Sequence, residues 1–372
     1  MLLYVHIPFC EKKCKYCDFN SFALSGEYKR RYLRDLKREM EMYATEEEID
    51  CVFIGGGTPS ILNSDEIREL FKYIHENFNI ADSAEITMEA NPGTLSCDKL
   101  EAMKNVGVNR LSMGLQAVQN EHLKYIGRIH KYEAFLKNYN DALDLGFENI
   151  NVDLMYSLPH QSFEDWKETL EVVCGLNPAH ISAYSLILEE NTELYEMWTR
   201  GEFEPNDDDS DIEMYRYTIG YLATQGYHQY EISNYAKDGY ECEHNKGYWK
   251  CEHYIAVGPG AAGYIEDIRY NNVCSLDEYH EMVELGKKPI DSKEYLTLKD
   301  KLEEKIFMGL RMNEGIYFED FKRDFGVDFM SKYSNQVSAL EERKLIVKDE
   351  KGIRLTQKGR EISNSVFVEF ME

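Results

Sequence analysis

The chain has 372 residues, 43% hydrophobic and 30% charged, a composition that supports two or three globular units and excludes wholesale disorder. Its 68 acidic residues outnumber 42 basic ones, and the net charge of −26 argues against nucleic acid or an anionic membrane as a partner, because both would be repelled. No segment reaches the roughly 18 to 20 uninterrupted apolar residues of a membrane span, so we expect no integral membrane segment.

The first half of the chain alternates strand-like with helix-like stretches. Short apolar runs predict strands at residues 2–7, 51–54, 85–88, 110–113, 149–155 and 180–188. Apolar positions at helical spacing predict helices at residues 28–43, 65–78, 98–106, 132–145 and 163–174. This alternation predicts an α/β fold, a partial (open) parallel β/α barrel over residues 1–190. Functional residues of such a fold lie at the C-terminal ends of its strands.

The rest of the chain divides into two further parts. Residues 191–290 are less regular and read as an extension of the barrel, with one helix at 212–225 after an acidic run that marks a solvated loop or a helix N-terminus. Residues 291–372 predict a smaller C-terminal winged-helix-like α+β domain. Because 15 basic and 16 acidic residues nearly cancel over residues 292–372, this domain lacks a DNA-binding face, and we expect it to serve packing or partner docking.

Three of the nine cysteines stand together after the first predicted strand, as Cys10, Cys14 and Cys17 in a C-x3-C-x2-C array. Three thiolates on one loop can hold three corners of a [4Fe-4S] cluster and leave the fourth iron open. A zinc site would need a fourth ligand nearby, and a thioredoxin-like pair of Cys14 and Cys17 would leave Cys10 unexplained. Three unrelated structural cysteines are the remaining alternative.

The array and its flanking segments, Tyr4-Val-His-Ile-Pro-Phe-Cys10 and Tyr16-Cys-Asp-Phe-Asn-Ser21, resemble the radical S-adenosylmethionine (SAM) superfamily. The resemblance covers essentially the whole chain. It is strongest to the oxygen-independent coproporphyrinogen III oxidase-like group, and within that group to the haem chaperone branch. It implies that the open iron binds SAM, that the reduced cluster cleaves SAM to a 5′-deoxyadenosyl radical, and that Tyr4 and Tyr16 are pocket residues.

A glycine-rich segment, Gly55-Gly56-Gly57-Thr58, follows the second predicted strand. Glycines at a strand exit let the backbone approach a ligand closely, although a plain tight turn is the alternative. A phosphate-binding loop is excluded because no Gly-Lys-Ser/Thr follows. The resemblance implies that Gly56, Gly57 and Thr58 contact SAM.

Polar residues also stand near the ends of the next three strands. Glu89 alternates with apolar neighbours and is expected to point into the barrel, where a cationic ligand group or an internal salt bridge would offset the cost of its burial. Gln116, Arg128 and Asp153 suit the polar edges of a nucleoside or a methionine carboxylate, or else form hydrogen bonds at the barrel mouth. The resemblance implies that all four contact SAM.

The second half carries the segment His244-Asn-Lys-Gly-Tyr248-Trp249. A neutral imidazole is a common ligand of haem iron, and the two aromatic rings could pack on a porphyrin. The resemblance links this segment to haem binding and makes His244 the candidate ligand. A hydrogen-bonded surface histidine is the alternative.

The same region also permits a zinc site. Cys242 and His244 repeat as Cys251 and His253, two Cys-x-His pairs that together offer four ligands. The single intervening residue is shorter than the roughly two to four residues that separate paired zinc ligands.

Two departures separate the chain from the oxidase branch. That branch carries a fourth cysteine two residues after the third, where this chain has Phe19, and an N-terminal extension over its substrate, whereas this chain begins at its first strand. Both favour a haem chaperone. The alternative is an oxygen-independent coproporphyrinogen III dehydrogenase, which decarboxylates propionate side chains oxidatively.

Together, the residues and the resemblance predict a protein that binds a [4Fe-4S] cluster, SAM and haem. Its expected partners are haem-accepting proteins, such as those of respiration, and an electron donor such as flavodoxin or ferredoxin. The first nine residues lack a basic region and a small-residue cleavage site, so no signal peptide is predicted and we expect a cytoplasmic location.

Overall fold

Six parallel strands alternate with helices through the first half of the chain. The structure, a computed structural model, describes residues 1–24 and 26–371. The strands are β1 (Leu2–Ile7), β2 (Thr45–Gly56), β3 (Phe78–Ala90), β4 (Arg110–Gln116), β5 (Asn149–Tyr156) and β6 (His180–Ser185). The helices are α1 (Glu27–Met42), α2 (Ser64–Asn77), α3 (Cys97–Asn105), α4 (Asn120–Tyr125), α5 (Tyr132–Asp144) and α6 (Phe163–Leu176). The strands pair side by side in chain order, which confirms the predicted α/β fold.

Short strands of the middle region extend this sheet at both sides. The strands are β7 (His228–Gln229), β8 (Asn234–Ala236), β9 (Tyr254–Val257), β10 (Ala262–Ile265), β11 (Ile268–Asn272) and β12 (Ile290–Tyr295). The helices are α7 (Glu193–Thr199), α8 (Asp208–Thr224), α9 (Glu243–Trp249) and α10 (Leu276–Glu284). The strand order is β12-β11-β10-β9-β1-β2-β3-β4-β5-β6-β8-β7. The sheet therefore ends at β12 and β7 and stays open, as predicted.

A smaller unit follows, with an apolar core of its own that includes Ile306, Phe321 and Val337. Its helices are α11 (Leu298–Arg311), α12 (Phe318–Phe325), α13 (Phe329–Glu342), α14 (Gln357–Glu361) and α15 (Ser363–Phe367). Its strands are β13 (Ile316–Tyr317), β14 (Ile346–Lys348) and β15 (Gly352–Leu355), which form an antiparallel sheet. Among residues 1–24 and 26–371, no helix combines the length and apolar content needed to cross a membrane.

The acidic run before α8 starts that helix. Asp207 is the N-cap residue, and its side chain accepts a hydrogen bond from the Ser210 N–H at 2.8 Å. Asp211, in the first turn, accepts hydrogen bonds from the hydroxyls of Ser157, at 2.6 Å, and Ser185. The run therefore caps a helix, as N-terminal acidic residues do, and ties it to the ends of β5 and β6.

A buried carboxyl group fastens α1 to the extension of the sheet. Glu39 accepts hydrogen bonds from the Gly258 N–H at 2.8 Å, the Asn272 amide at 2.7 Å and the Tyr279 hydroxyl at 2.5 Å. The residue is fully buried, and this burial raises its pKa from 4.5 to about 7. The helix and the antiparallel strands therefore meet at a group that titrates near neutral pH.

The variant Glu39→Gln tests this linkage. The folded protein keeps a proton on Glu39 that the unfolded chain has released, so the free energy of unfolding falls as the pH rises from 4.5 to about 7. We expect the stability of wild type relative to Glu39→Gln, from urea unfolding, to fall by about 2 to 3 kcal/mol between pH 5 and pH 8.

Glu41, exposed on the same helix, provides the matched control. Glu41→Gln should keep the pH dependence of wild type, because Glu41 takes no part in the hydrogen bonds that bury Glu39. A pH-independent difference between wild type and Glu39→Gln would contradict the raised pKa.

Candidate functional site

A cavity of about 450 Å³ opens at the C-terminal ends of the parallel strands. It is lined by most of the predicted site residues, namely Cys10, Cys14, Tyr16, Cys17, Gly56, Gly57, Thr58, Glu89, Gln116, Arg128 and Asp153. Tyr4 and His244, also predicted for the site, lie outside this lining. Residues from five strands and their following loops thus meet where an α/β sheet carries its functional groups.

The cysteine loop is held against the end of β1 by several hydrogen bonds. The Cys10 N–H donates to the carbonyl of Phe22 at 3.0 Å. The Thr58 hydroxyl donates to Cys10 Sγ at 3.3 Å, and Arg128 Nη1 donates to Cys14 Sγ at 3.6 Å. Two of the three sulfurs therefore have donors that would stabilise negative charge on a thiolate.

Gly56 and Gly57 allow the ends of β1 and β2 to approach closely. A β carbon on Gly57 would lie 2.7 Å from the carbonyl oxygen of Phe9 and 2.9 Å from that of Ile7. Gly56 has a φ of 108°, and a β carbon there would lie 2.6 Å from the ring of His6. Only glycine fits both positions, so this segment serves strand packing as well as exposing backbone to the cavity.

Two carboxyl groups face the cavity from β3 and β5. Glu89 accepts a hydrogen bond from the Gly56 N–H at 3.1 Å, and in the described part of the chain it has no ion-pair partner. Burial, and then the charge of Asp153, raises the pKa of Glu89 to about 8. Asp153 accepts hydrogen bonds from Asn151 at 2.8 Å and Ser112 at 3.0 Å. A cationic ligand group beside Glu89 would favour its ionised form.

Arg128 and Gln116 each present a buried polar atom without a hydrogen-bond partner in the part of the chain that the structure describes. Arg128 Nη2 donates to Asn91 Oδ1 at 2.8 Å and to the carbonyl of Gly114. Arg128 Nε and Gln116 Oε1 are buried and find no hydrogen-bond partner among the described residues. Because an unsatisfied buried polar atom costs free energy, this donor and this acceptor are suited to a ligand.

These features fit a [4Fe-4S] cluster and SAM. Three thiols on one loop suit three corners of a cluster, and the exposed backbone, Glu89 and the two unpaired atoms offer bonds to a zwitterionic nucleoside. Within the described residues, no three His, Cys, Asp or Glu side chains converge on a point that could hold one metal ion. A four-iron cluster is held at its corners, so its ligands need not converge in this way.

The zinc alternative finds no support at the Cys-x-His pairs. Neither pair belongs to a group of three or more ligands among residues 1–24 and 26–371. Cys242 Sγ lies 3.7 Å from Glu85 Oε1, and burial raises the pKa of this thiol to about 12. Cys242 is therefore a buried, protonated thiol in this arrangement.

His244 lies in the interior of the fold, on α9. It is 2% exposed, and its ring centroid lies 4.6 Å from that of Phe53, 4.4 Å from Tyr248 and 6.1 Å from Tyr4. Neither ring nitrogen has a hydrogen-bond partner in the part of the chain that the structure describes. Burial, and then Arg110, lowers its pKa to about 3. His244 is therefore neutral, and it is not the hydrogen-bonded surface residue of the alternative interpretation.

Several residues that line the cavity were not predicted from the sequence. They are Lys12, Lys13, Asp18, Phe19, Asn91, Ser112, Tyr184, Leu186, Ile187 and Glu189. The last four follow or end β6, which stops at Ser185 rather than at residue 188. The rule that strand ends carry the site would have found them if that boundary had been placed correctly.

Comparison with known proteins places the chain among close relatives. Residues 4–173 match the radical SAM superfamily, and residues 296–362 match the HemN C-terminal domain. The heme chaperone HemW of Lactococcus lactis subsp. lactis (strain IL1403) is 36% identical over 368 residues, which cover 99% of this chain and 96% of that protein. HemW of Bacillus subtilis (strain 168) is 35% identical, with 99% and 98% covered.

A solved structure gives the same result for the fold. Coproporphyrinogen III oxidase (HemN) from Escherichia coli, described as a radical SAM enzyme, superposes with a TM-score of 0.86 at 26% identity. The superposition covers 99% of this chain and 89% of the other. Together with the near full-length relatives, these findings show that the chain belongs to the radical SAM superfamily and, within it, to the family of the HemW haem chaperones.

Proposed function

We propose that the chain is a cytoplasmic haem chaperone that carries a [4Fe-4S] cluster and SAM and delivers haem to acceptor proteins such as those of respiration. The observation that carries the proposal is that the three cysteines share one cavity with the glycine-rich segment and the polar strand ends. Similarity to HemW proteins over nearly the full chain supports the haem-carrying role.

In this proposal, the cysteine loop and the side chains that donate hydrogen bonds to it bind the cluster. Cys10, Cys14 and Cys17 would hold the cluster, which would supply an open iron position for SAM and one-electron redox chemistry, with electrons from a donor such as flavodoxin or ferredoxin. Thr58 and Arg128, which donate to Cys10 and Cys14, stabilise the thiolate charge and fix the loop.

The remaining cavity residues bind and orient SAM. Backbone groups of Gly56 and Gly57 lie at the exit of β2 beside Glu89, whose carboxylate suits the amino group. Arg128 Nε and Gln116 Oε1 offer one donor and one acceptor to the polar edges of the ligand. Tyr16, from the cysteine loop, also lines the pocket.

The resemblance makes His244 the candidate iron ligand, but its burial sets a condition on that role. At 2% exposure, with its ring stacked on Phe53, its nitrogens can meet haem iron only if α9 moves away from β2. The neutral state that burial enforces is the state in which imidazole binds a metal.

A second candidate function is the oxidative decarboxylation of coproporphyrinogen III. The similarity to HemN over 99% of this chain favours it, whereas Phe19 at the place of the oxidase branch's fourth cysteine argues against it. We expect the anaerobic protein with cluster, SAM and an electron donor to bind haem and to form no protoporphyrinogen. Formation of protoporphyrinogen over many turnovers would instead favour the decarboxylase function over the haem chaperone function.

Replacement of one cluster cysteine tests the metal site. We expect Cys14→Ser to lose most of the iron and acid-labile sulfide that reconstituted wild type holds, about four of each per chain. Cys97→Ser is the matched control, because Cys97 is exposed at the start of α3, away from the cavity. Equal iron and sulfide in Cys14→Ser and wild type would rule out the proposed ligand set.

Replacement of a glycine tests the close approach of β1 and β2. Gly57→Ala would push a carbon against the Phe9 and Ile7 carbonyls, so we expect SAM affinity, measured by anaerobic equilibrium dialysis, to fall about tenfold or more. In Gly220→Ala, at an exposed position of α8, the new carbon meets nothing within 4 Å. That control should bind SAM normally and gain about 1 kcal/mol of stability. Wild-type affinity in Gly57→Ala would contradict the packing argument.

A further inference from the structure

Three large apolar side chains stand exposed around the opening of the cavity. Phe19 is 60% exposed, Ile187 68% and Tyr184 39%, and all three belong to its lining. Phe19 comes from the cysteine loop, and the other two come from the end of β6 and the loop after it. We call these three residues the apolar rim. Exposed apolar groups gathered at a cavity mouth are typical of a surface that binds an apolar ligand.

Charged side chains flank the apolar rim. Lys12 and Lys13 line the cavity beside it, and neither forms an ion pair with a described residue. Lys13 Nζ donates to the carbonyl of Phe19 at 2.9 Å, which holds this cation against the rim. Asp18 and Glu189 also line the opening, so the two negative charges balance those of the two lysines. An anionic ligand would therefore be oriented by the positions of the lysines and not by an overall positive charge.

SAM does not account for the apolar rim. A zwitterionic nucleoside matches the polar interior, where Glu89, Gln116 and Arg128 lie, whereas Phe19 and Ile187 offer it no hydrogen bond.

Haem has the matching chemistry: a flat apolar face and two carboxylates at one edge. We propose that haem docks on the apolar rim, with its face on Phe19, Tyr184 and Ile187 and its carboxylates toward Lys12 and Lys13. This inference rests on the proposed haem-carrying function. The three rim side chains are already exposed, whereas contact with His244 requires displacement of α9, because that histidine is 2% exposed.

A charge placed in the apolar rim tests the proposal. Ile187→Asp puts a carboxylate under the macrocycle, and we expect haem affinity, from Soret titration of the cluster-loaded full chain, to fall at least about tenfold. Leu285→Asp is the matched control, because Leu285 is 71% exposed just after α10, outside the cavity lining. Iron and sulfide contents equal to wild type in both variants show that the cluster is intact.

The carboxylate contacts are tested with two probes. The double variant Lys12→Glu and Lys13→Glu should weaken binding of protoporphyrin IX, whose carboxylates would contact these lysines. Binding of its dimethyl ester should stay unchanged, because the ester has no carboxylate for the lysines to contact. Lys287→Glu, on the surface near Leu285, is the control and should affect neither probe.

The outcomes separate this inference from the proposed function. If wild type binds no haem, both fail. If wild type binds haem and Ile187→Asp matches Leu285→Asp, the docking surface is wrong while the chaperone role survives. We expect His244→Phe, which keeps an aromatic ring in the stack with Phe53 and Tyr248, to retain haem affinity. If His244→Phe loses haem affinity while Ile187→Asp keeps it, haem binds at α9 instead.

Discussion

The contact between the exits of β1 and β2 is the constraint on which the site depends. The Gly57 N–H donates to the Ile7 carbonyl and the Thr58 N–H to the Phe9 carbonyl, each at 2.8 Å, so parallel pairing continues past the strand ends. This pairing carries the Thr58 hydroxyl to Cys10 Sγ. The cysteine loop and the glycine-rich segment are thereby held at a fixed distance from each other, which an added side-chain carbon at Gly57 would change.

The interior of the open barrel is divided between polar and aromatic halves. At the C-terminal ends, the cavity holds carboxyl and guanidinium groups. Beneath it, the rings of Tyr4, Phe53 and His244 fill the space. Tyr4 contacts the polar half only through His6. The Tyr4 hydroxyl lies 3.0 Å from His6 Nδ1, and the His6 ring lies against Gly56. Tyr4 therefore supports the glycine-rich segment without reaching the cavity.

The alternation of β1–β6 with helices was predictable because buried parallel strands are short apolar runs between amphipathic helices. The start of β2 was not predicted, because Thr45 and the glutamates after it show no apolar pattern. This part of β2 pairs with the start of β3 in a register that shifts twice. Strands β7–β12 are short and pair with strands distant in sequence. Eleven residues of the cavity lining were predicted from the cysteine spacing, the strand ends and the resemblance. The burial of His244 could not be predicted, because it depends on Tyr4 and Phe53, which no local pattern links to α9.

A sheet that does not close into a barrel retains two edges, and β12 forms one of them. Five of its six residues are exposed, among them Asp291, Lys293 and Glu294. A strand from another molecule that paired there would have to bring its own side chains against these alternating charges and strip them of water. The composition of this edge therefore discourages intermolecular β-pairing, so that the barrel can stay open toward its ligands without becoming a template for aggregation.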